Sequence, residues 1–202
     1  MKKFTVALAG NPNAGKTTLF NALTGAKQYV GNWPGVTVER ISGKYKHNDC
    51  NIEMIDLPGI YSFSAYSIDE KVSREFILMD KPDLVVNILD ASNLERNLYL
   101  TTQLLEMKIP VLIALNMMDV AKKKKINIEL DHLALHLGCK IIPVTANKKL
   151  GLEALKDEIN SAAEEKNISN THVSYDSIVE ESLTKIQQRC STFAEKRKVD
   201  IR

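Results

Sequence analysis

Two short runs carry residues of the kind that hold phosphate groups. Gly10-Asn11-Pro12-Asn13-Ala14-Gly15-Lys16-Thr17 fits a glycine, four residues, then Gly-Lys-Thr. Gly10 and Gly15 let the backbone curl so that successive amides face an anion. A helix starting there adds the partial positive charge of its N-terminus. The spacing sets Lys16 between the β- and γ-phosphates of a nucleotide, with the Thr17 hydroxyl on Mg2+ and Thr18 beside it. The second run is Asp56-Leu57-Pro58-Gly59. Asp56 is expected to hold Mg2+ through a water, and the Gly59 amide to meet the γ-phosphate. Alone this tetrapeptide equally describes a strand ending in a Pro-Gly turn. One hairpin after a phosphate loop, it reads as part of the same site.

Asn116-Met117-Met118-Asp119 closes an apolar run and would supply the base contact. A carboxylate at Asp119 accepts both the N1–H and N2–H donors of guanine. Adenine presents the opposite pattern and would leave that carboxylate unpaired, so the motif selects GTP and GDP over adenine nucleotides. Thr145-Ala146-Asn147 is expected to bring the Ala146 amide to guanine O6. Between these motifs, residues 28–39 contain Gly31, Trp33, Pro34, Gly35 and Thr37. The Gly and Pro content predicts a mobile loop, with Thr37 sensing the γ-phosphate and Mg2+ and Gly35 near the nucleotide. Trp33 could equally be a core anchor. The residues read as catalytic are Asn13, Lys16, Thr37 and Gly59.

Strand-like and helix-like segments alternate, which predicts an α/β fold. Strands are expected at Phe4–Ala9, Ile41–His47, Asn51–Asp56, Leu84–Asp90, Val111–Asn116 and Ile141–Thr145. They would form a mostly parallel six-stranded sheet with one antiparallel strand and helices on both faces. Helices are expected at Thr17–Leu23, Leu94–Met107 and 151–164, and Leu130, Leu133 and Leu137 give one more an apolar face. That division gives a nucleotide-binding domain over 1–165, then a linker and helical extension over 166–202. Val179, Leu183, Ile186, Cys190 and Phe193 form one stripe there, which a lone helix cannot bury.

Composition narrows the class. Net charge is +2 over 202 residues, too little to argue for nucleic acid or an anionic membrane surface. Lys122–Lys125 reads as a solvated loop rather than an RNA contact. Cys50, Cys139 and Cys190 are widely spaced, which predicts reduced thiols in a cytosolic protein. No run of eighteen apolar residues is present, so any membrane anchor must come from another part or a partner. His132 and His136 lie four apart on the predicted helix, but its leucines explain the segment and the cysteines show no metal-ligand spacing, so no iron site is expected.

All four motifs, over about residues 3–163, resemble those of the translation-factor-related P-loop GTPases. The stretches 10–25, 30–39 (Val-Gly-Asn-Trp-Pro-Gly-Val-Thr-Val-Glu) and 56–62 are similar to the N-terminal cytosolic G domain of the FeoB ferrous iron transporter family. The resemblance implies a GTP-hydrolysing switch at the cytoplasmic face of the cell membrane. It would regulate iron uptake through a membrane-embedded region that this chain lacks, and a helical domain would follow the G domain. It also implies a potassium ion held by Asn13 and the carbonyls of Gly31 and Trp33. Two positions bear on the chemistry. Ile60 stands where Ras-like GTPases place a water-orienting glutamine, so intrinsic hydrolysis is expected to be slow. Met117 replaces the lysine of the common N-K-x-D motif, which lowers the expected guanine affinity. The residues leave two rivals open: a soluble GTPase acting on ribosomes or tRNA, and a nucleotide sensor that does not hydrolyse. Self-association is also left open.

Overall fold

The computed structural model describes residues 1–25, 28–64 and 66–169. Seven strands form one sheet, in the order β2-β3-β4-β1-β5-β6-β7. They are β1 (Lys2–Gly10), β2 (Gln28–Asn32), β3 (Glu39–His47), β4 (Cys50–Asp56), β5 (Leu84–Asp90), β6 (Val111–Asn116) and β7 (Ile141–Pro143). β1, β4, β5, β6 and β7 pair in parallel. β3 pairs antiparallel with both β2 and β4, so it is the one reversed strand.

The middle of the sheet follows from composition. β5 (Leu-Val-Val-Asn-Ile-Leu-Asp) and β6 (Val-Leu-Ile-Ala-Leu-Asn) are apolar along nearly their whole length. Such strands must be covered on both faces. α1 (Lys16–Thr24) and α6 (Leu152–Glu165) cover one face, where Leu19, Phe20, Leu155 and Ile159 pack on Val6, Leu8, Val86 and Ile88. On the other face α2 (Ile68–Glu75) and α3 (Leu94–Glu106) bring Val72, Leu100 and Leu104 against Ala7, Ile55, Val85 and Leu89. α2 continues into a wider π turn, Phe76–Asp80. α4 (Met118–Lys123) and α5 (Leu130–Leu137) follow β6.

All six expected strands lie within two residues of their predicted starts and ends. Ile141–Thr145 is shorter, ending at Pro143. The larger difference is β2. Half of the segment expected to be a loop is an edge strand, in which Tyr29 and Val30 pair with Ser42 and Ile41. β-branched and aromatic residues favour such a ladder, and this pairing outweighs the loop signal of the neighbouring Gly and Pro. α2 and α4 were not expected.

Past α6 the chain stays on the same body. Lys166 Nζ lies 2.7 Å from Asp83, Ile168 bridges Pro110, and the Ser169 hydroxyl donates to the Leu137 carbonyl at 2.8 Å. The stripe from Val179 to Phe193 lies outside the described residues. Among the described residues no helix is long and apolar enough to cross a membrane.

Candidate nucleotide site

Parallel strands place their C-terminal ends along one edge, and every predicted motif sits there. Gly10 ends β1 and Lys16 opens α1. Gly15 has φ 88°, and a Cβ on it would run into the side-chain amide of Asn116, so only glycine fits. Asn13 also has positive φ, 66°, and is exposed. Asn11 is buried: its Nδ2 donates to the Arg96 carbonyl at 3.1 Å, while its Oδ1 has no hydrogen-bond partner among the described residues.

Lys16 Nζ lies 2.5 Å from Asp56 Oδ1, with the two side chains 12% and 6% exposed. Burial pushes the Asp56 carboxyl above its ordinary range, and the charge and hydrogen bond of Lys16 pull against that rise. A carboxylate desolvated this way gains from any cation beside it. Asp56 and the exposed Thr17 hydroxyl are oxygen donors of the kind a hard divalent cation takes, so these residues fit Mg2+.

The Asp56–Gly59 run lies directly on the phosphate loop. Leu57 N–H donates to the Leu8 carbonyl at 3.0 Å and Ile60 N–H to the Gly10 carbonyl at 3.2 Å. A Cβ on Gly59 would come within 3.3 Å of Pro12 Cα. The Ile60 side chain is buried in the core cluster that includes Trp33 and Leu57. Beyond it, Glu70 gathers the segment: it accepts from the Ser62 hydroxyl at 3.1 Å, the Ser64 hydroxyl at 2.9 Å and the Tyr66 amide at 3.1 Å. Desolvation alone would raise the Glu70 carboxyl, but the hydroxyl and amide donors outweigh it and hold it below the usual range. Sequence reasoning missed this hub. Its signal was Ser67-x-x-Glu70, a capping box that starts α2. Also unforeseen is Arg96, whose guanidinium stacks 4.2 Å from the Tyr61 ring centre.

On the base side, Asn116 joins three segments that are remote in sequence. Its Nδ2 donates to the Ala14 carbonyl at 3.0 Å, and its Oδ1 accepts the Ala146 amide at 3.0 Å. The Ala146 N–H expected at guanine O6 is therefore already bonded, because two buried groups satisfy each other here. Reaching a purine oxygen requires this bond to be shared or exchanged. Met117 has φ 61°, and its Cε lies 3.7 Å from the position of a Cβ on Gly15, so it packs against the loop. Asp119 accepts from Lys148 Nζ at 2.7 Å and from the Val120 amide at 3.0 Å. The Lys148 hydrogen bond holds its carboxyl below the usual range. Thr145 is buried and Asn147 exposed.

The remaining predicted residues lie on the hairpin between β2 and β3. Gly31 faces Arg40 in the ladder. Trp33 N–H donates to the Val38 carbonyl at 2.9 Å, and the Trp33 carbonyl accepts the Val36 amide at 3.3 Å. The Trp33 ring is 6% exposed, stands edge-on to Phe76 at 5.2 Å, and has the Arg40 guanidinium 5.0 Å from its centre. It is a core anchor. Gly35, with φ 76°, and Thr37 are exposed on the turn beyond it.

A parallel sheet with a phosphate loop after its first strand, and an Asn-x-x-Asp run after its sixth, defines a P-loop GTPase fold. Residues 4–159 match the family model described as ferrous iron transport protein B, and the chain belongs to that family, as part of its N-terminal G domain. Over 176 residues it is 52% identical to the Fe(2+) transporter FeoB of Shigella flexneri and 51% to that of Escherichia coli K12. Each alignment covers 85% of this chain but 23% of the transporter, so the chain spans about a quarter of those relatives. Among solved structures, the cytosolic domain of T. maritima FeoB in a GDP form superposes with a TM-score of 0.87 at 43% identity. That match covers 92% of this chain and 74% of the other. The FeoB G domain from Methanococcus jannaschii gives 0.73 at 49%, covering 81% and 99% respectively.

Proposed function

We propose that this domain binds GTP and GDP with Mg2+, hydrolyses GTP slowly unless a potassium ion assists, and serves as a cytosolic switch for ferrous iron uptake. The observation that carries the nucleotide reading is the convergence on Asn116, which ties the phosphate loop to the base loop at fixed spacing. A nucleotide with its phosphates on residues 10–18 then has its base beside Asp119. The iron role rests on family membership. The transporter region belongs to the relatives, as do their substrate and membrane setting.

In this reading Lys16 would leave Asp56 for the β- and γ-phosphates, and the buried carboxylate would then help hold Mg2+. Mg2+ shields phosphate charge. Thr17 would hold the ion with it, and Thr37 would join from the β2–β3 turn. Gly59 offers its amide to the γ-phosphate and draws with it the segment organised by Glu70, so phosphate loss relaxes that segment. Ile60, apolar and buried, supplies no group to orient water or offset charge. A cation held by Asn13 would meet charge developing on the bridging oxygen. Ligation by Gly31 and Trp33 carbonyls requires rearrangement of the hairpin, since the Trp33 carbonyl already accepts an amide. A helical extension following the G domain, past the residues 166–169 that pack on it, and self-association belong to the same proposal.

The test is single-turnover phosphate release in KCl and in NaCl. The parent protein is expected to run at least about tenfold faster in KCl, since removing one group that stabilises developing oxyanion charge costs about 10²–10³ in rate. Asn13→Ala is expected to lose that difference and keep GDP affinity within about threefold. Equal rates in both salts for the parent would refute the cation role. No phosphate release at all would leave a sensor in place of an enzyme.

A further inference from the structure

His132 and His136 sit one turn apart on the exposed side of α5, while Leu133 and Leu137 on the same helix turn to the core. Their Nε2 atoms are 3.3 Å apart, with ring centres at 4.4 Å and planes at 77°. With one ring neutral and donating, that distance is a long hydrogen bond. Two imidazole nitrogens bound to one tetrahedral metal at about 2.05 Å each stand about 3.3–3.4 Å apart. The observed separation is that bite. Spacing four on a helix brings the side chains together, and rotation about the soft terminal torsion of each ring aims both lone pairs at one point.

The pair also opens onto a cleft of about 460 Å³, lined by Ser92, Asn127, Glu129 and both histidines. The cleft has room for water on the metal's remaining positions, and Glu129 contributes negative charge. Lys124, 3.4 Å from the Ser92 hydroxyl, partly offsets it. Among the described residues no group of three or more His, Cys, Asp or Glu could hold a metal together, so these residues supply two ligands and leave room for water on the other positions.

We propose that His132 and His136 chelate a divalent first-row transition cation, of the imidazole-favouring kind that Zn2+ represents, at a site separate from the nucleotide. Imidazole nitrogen suits Zn2+, Ni2+, Cu2+ and Fe2+, whereas Mg2+ prefers oxygen ligands and discriminates against the site. Spacing alone argued against a metal because the leucines sufficed to explain the helix. The distance between the two ring nitrogens is the added observation, and it does not depend on the iron reading.

The experiment is calorimetric titration of Zn2+ into the 202-residue chain with millimolar Mg2+ present. His132→Ala and His136→Ala are the test variants. His47→Ala is the control, because His47 is bonded to Asp157 elsewhere. Binding of one Zn2+ per chain is expected, weakened at least about tenfold in either test variant and unchanged in the control; loss of supporting groups alone costs about 10–100-fold in metal sites. Both substitutions lie on an exposed face, and unchanged GDP binding in the same variants confirms their fold. Undiminished Zn2+ affinity in either test variant overturns the proposal, as does absence of uptake by the parent. So does displacement of the Zn2+ from the parent by saturating GDP and Mg2+, which would put the metal at the nucleotide.

Discussion

Asp119→Asn is expected to weaken GTP and GDP at least about a hundredfold and to turn the preference toward xanthine nucleotides. The carboxylate would accept two donors from guanine, and each hydrogen bond to a charged group is worth about 1.5–3 kcal/mol. Asparagine keeps one acceptor oxygen but loses the charge and sets its NH2 against the other guanine donor, which removes about 3–6 kcal/mol, or roughly 10²–10⁴ in affinity. Xanthine carries a carbonyl where guanine has its amino group, so the amide of an asparagine can donate there. The geometry favours Asp119 for this role: the Lys148 and Val120 contacts fix its oxygens and keep the carboxyl ionised. Competition against a fluorescent GDP analogue reads the result. A variant that still ranks GDP above xanthosine diphosphate would remove Asp119 from base recognition.

The second large effect is structural as well as functional. Asn116→Ala is expected to lower the melting temperature of the nucleotide-free protein by roughly 5–15 °C and to weaken GDP severely. Asn116 is 3% exposed, and both of its hydrogen bonds are 3.0 Å. Truncation strands the Ala14 carbonyl and the Ala146 amide, at about 1–3 kcal/mol each. For a domain of this length one kcal/mol moves the melting point by about 2–4 °C. The two loops would also lose their fixed separation, so phosphate and base contacts could no longer be made together. Thermal melting without nucleotide isolates the first part of this claim. A shift under about 1 °C would mean that other contacts hold the loops.

Much of this was readable from residue types. The phosphate loop is legible because Gly10 and Gly15 are demanded by backbone geometry, and Gly15 does stand where any side chain would meet Asn116. Strands β5 and β6 declare themselves by nearly continuous apolar runs, and those runs end at Asp90 and Asn116 on the edge where the site forms. What stayed hidden depends on pairing across the fold. β2 has no apolar face, all five of its residues being exposed, so only its partner β3 makes it a strand. Trp33 could be placed in a loop by its neighbours, but its burial against Phe76 and Arg40 comes from elements over 40 residues apart or across the hairpin. The bond between Ala146 and Asn116 was likewise invisible, because each residue taken alone points to the base. Glu70 is the instructive miss: its capping signal was present, yet its further role in collecting Ser62, Ser64 and Tyr66 needed the fold.

A crystal structure grown with GDP and Mg2+ tests the central claim most directly. It should show the phosphates cradled by the amides following Gly10, Lys16 moved from Asp56 to the β-phosphate, and the guanine N1 and N2 donors on Asp119. A nucleotide bound away from the Gly10–Thr17 loop, or a base that leaves Asp119 on Lys148 alone, would contradict it.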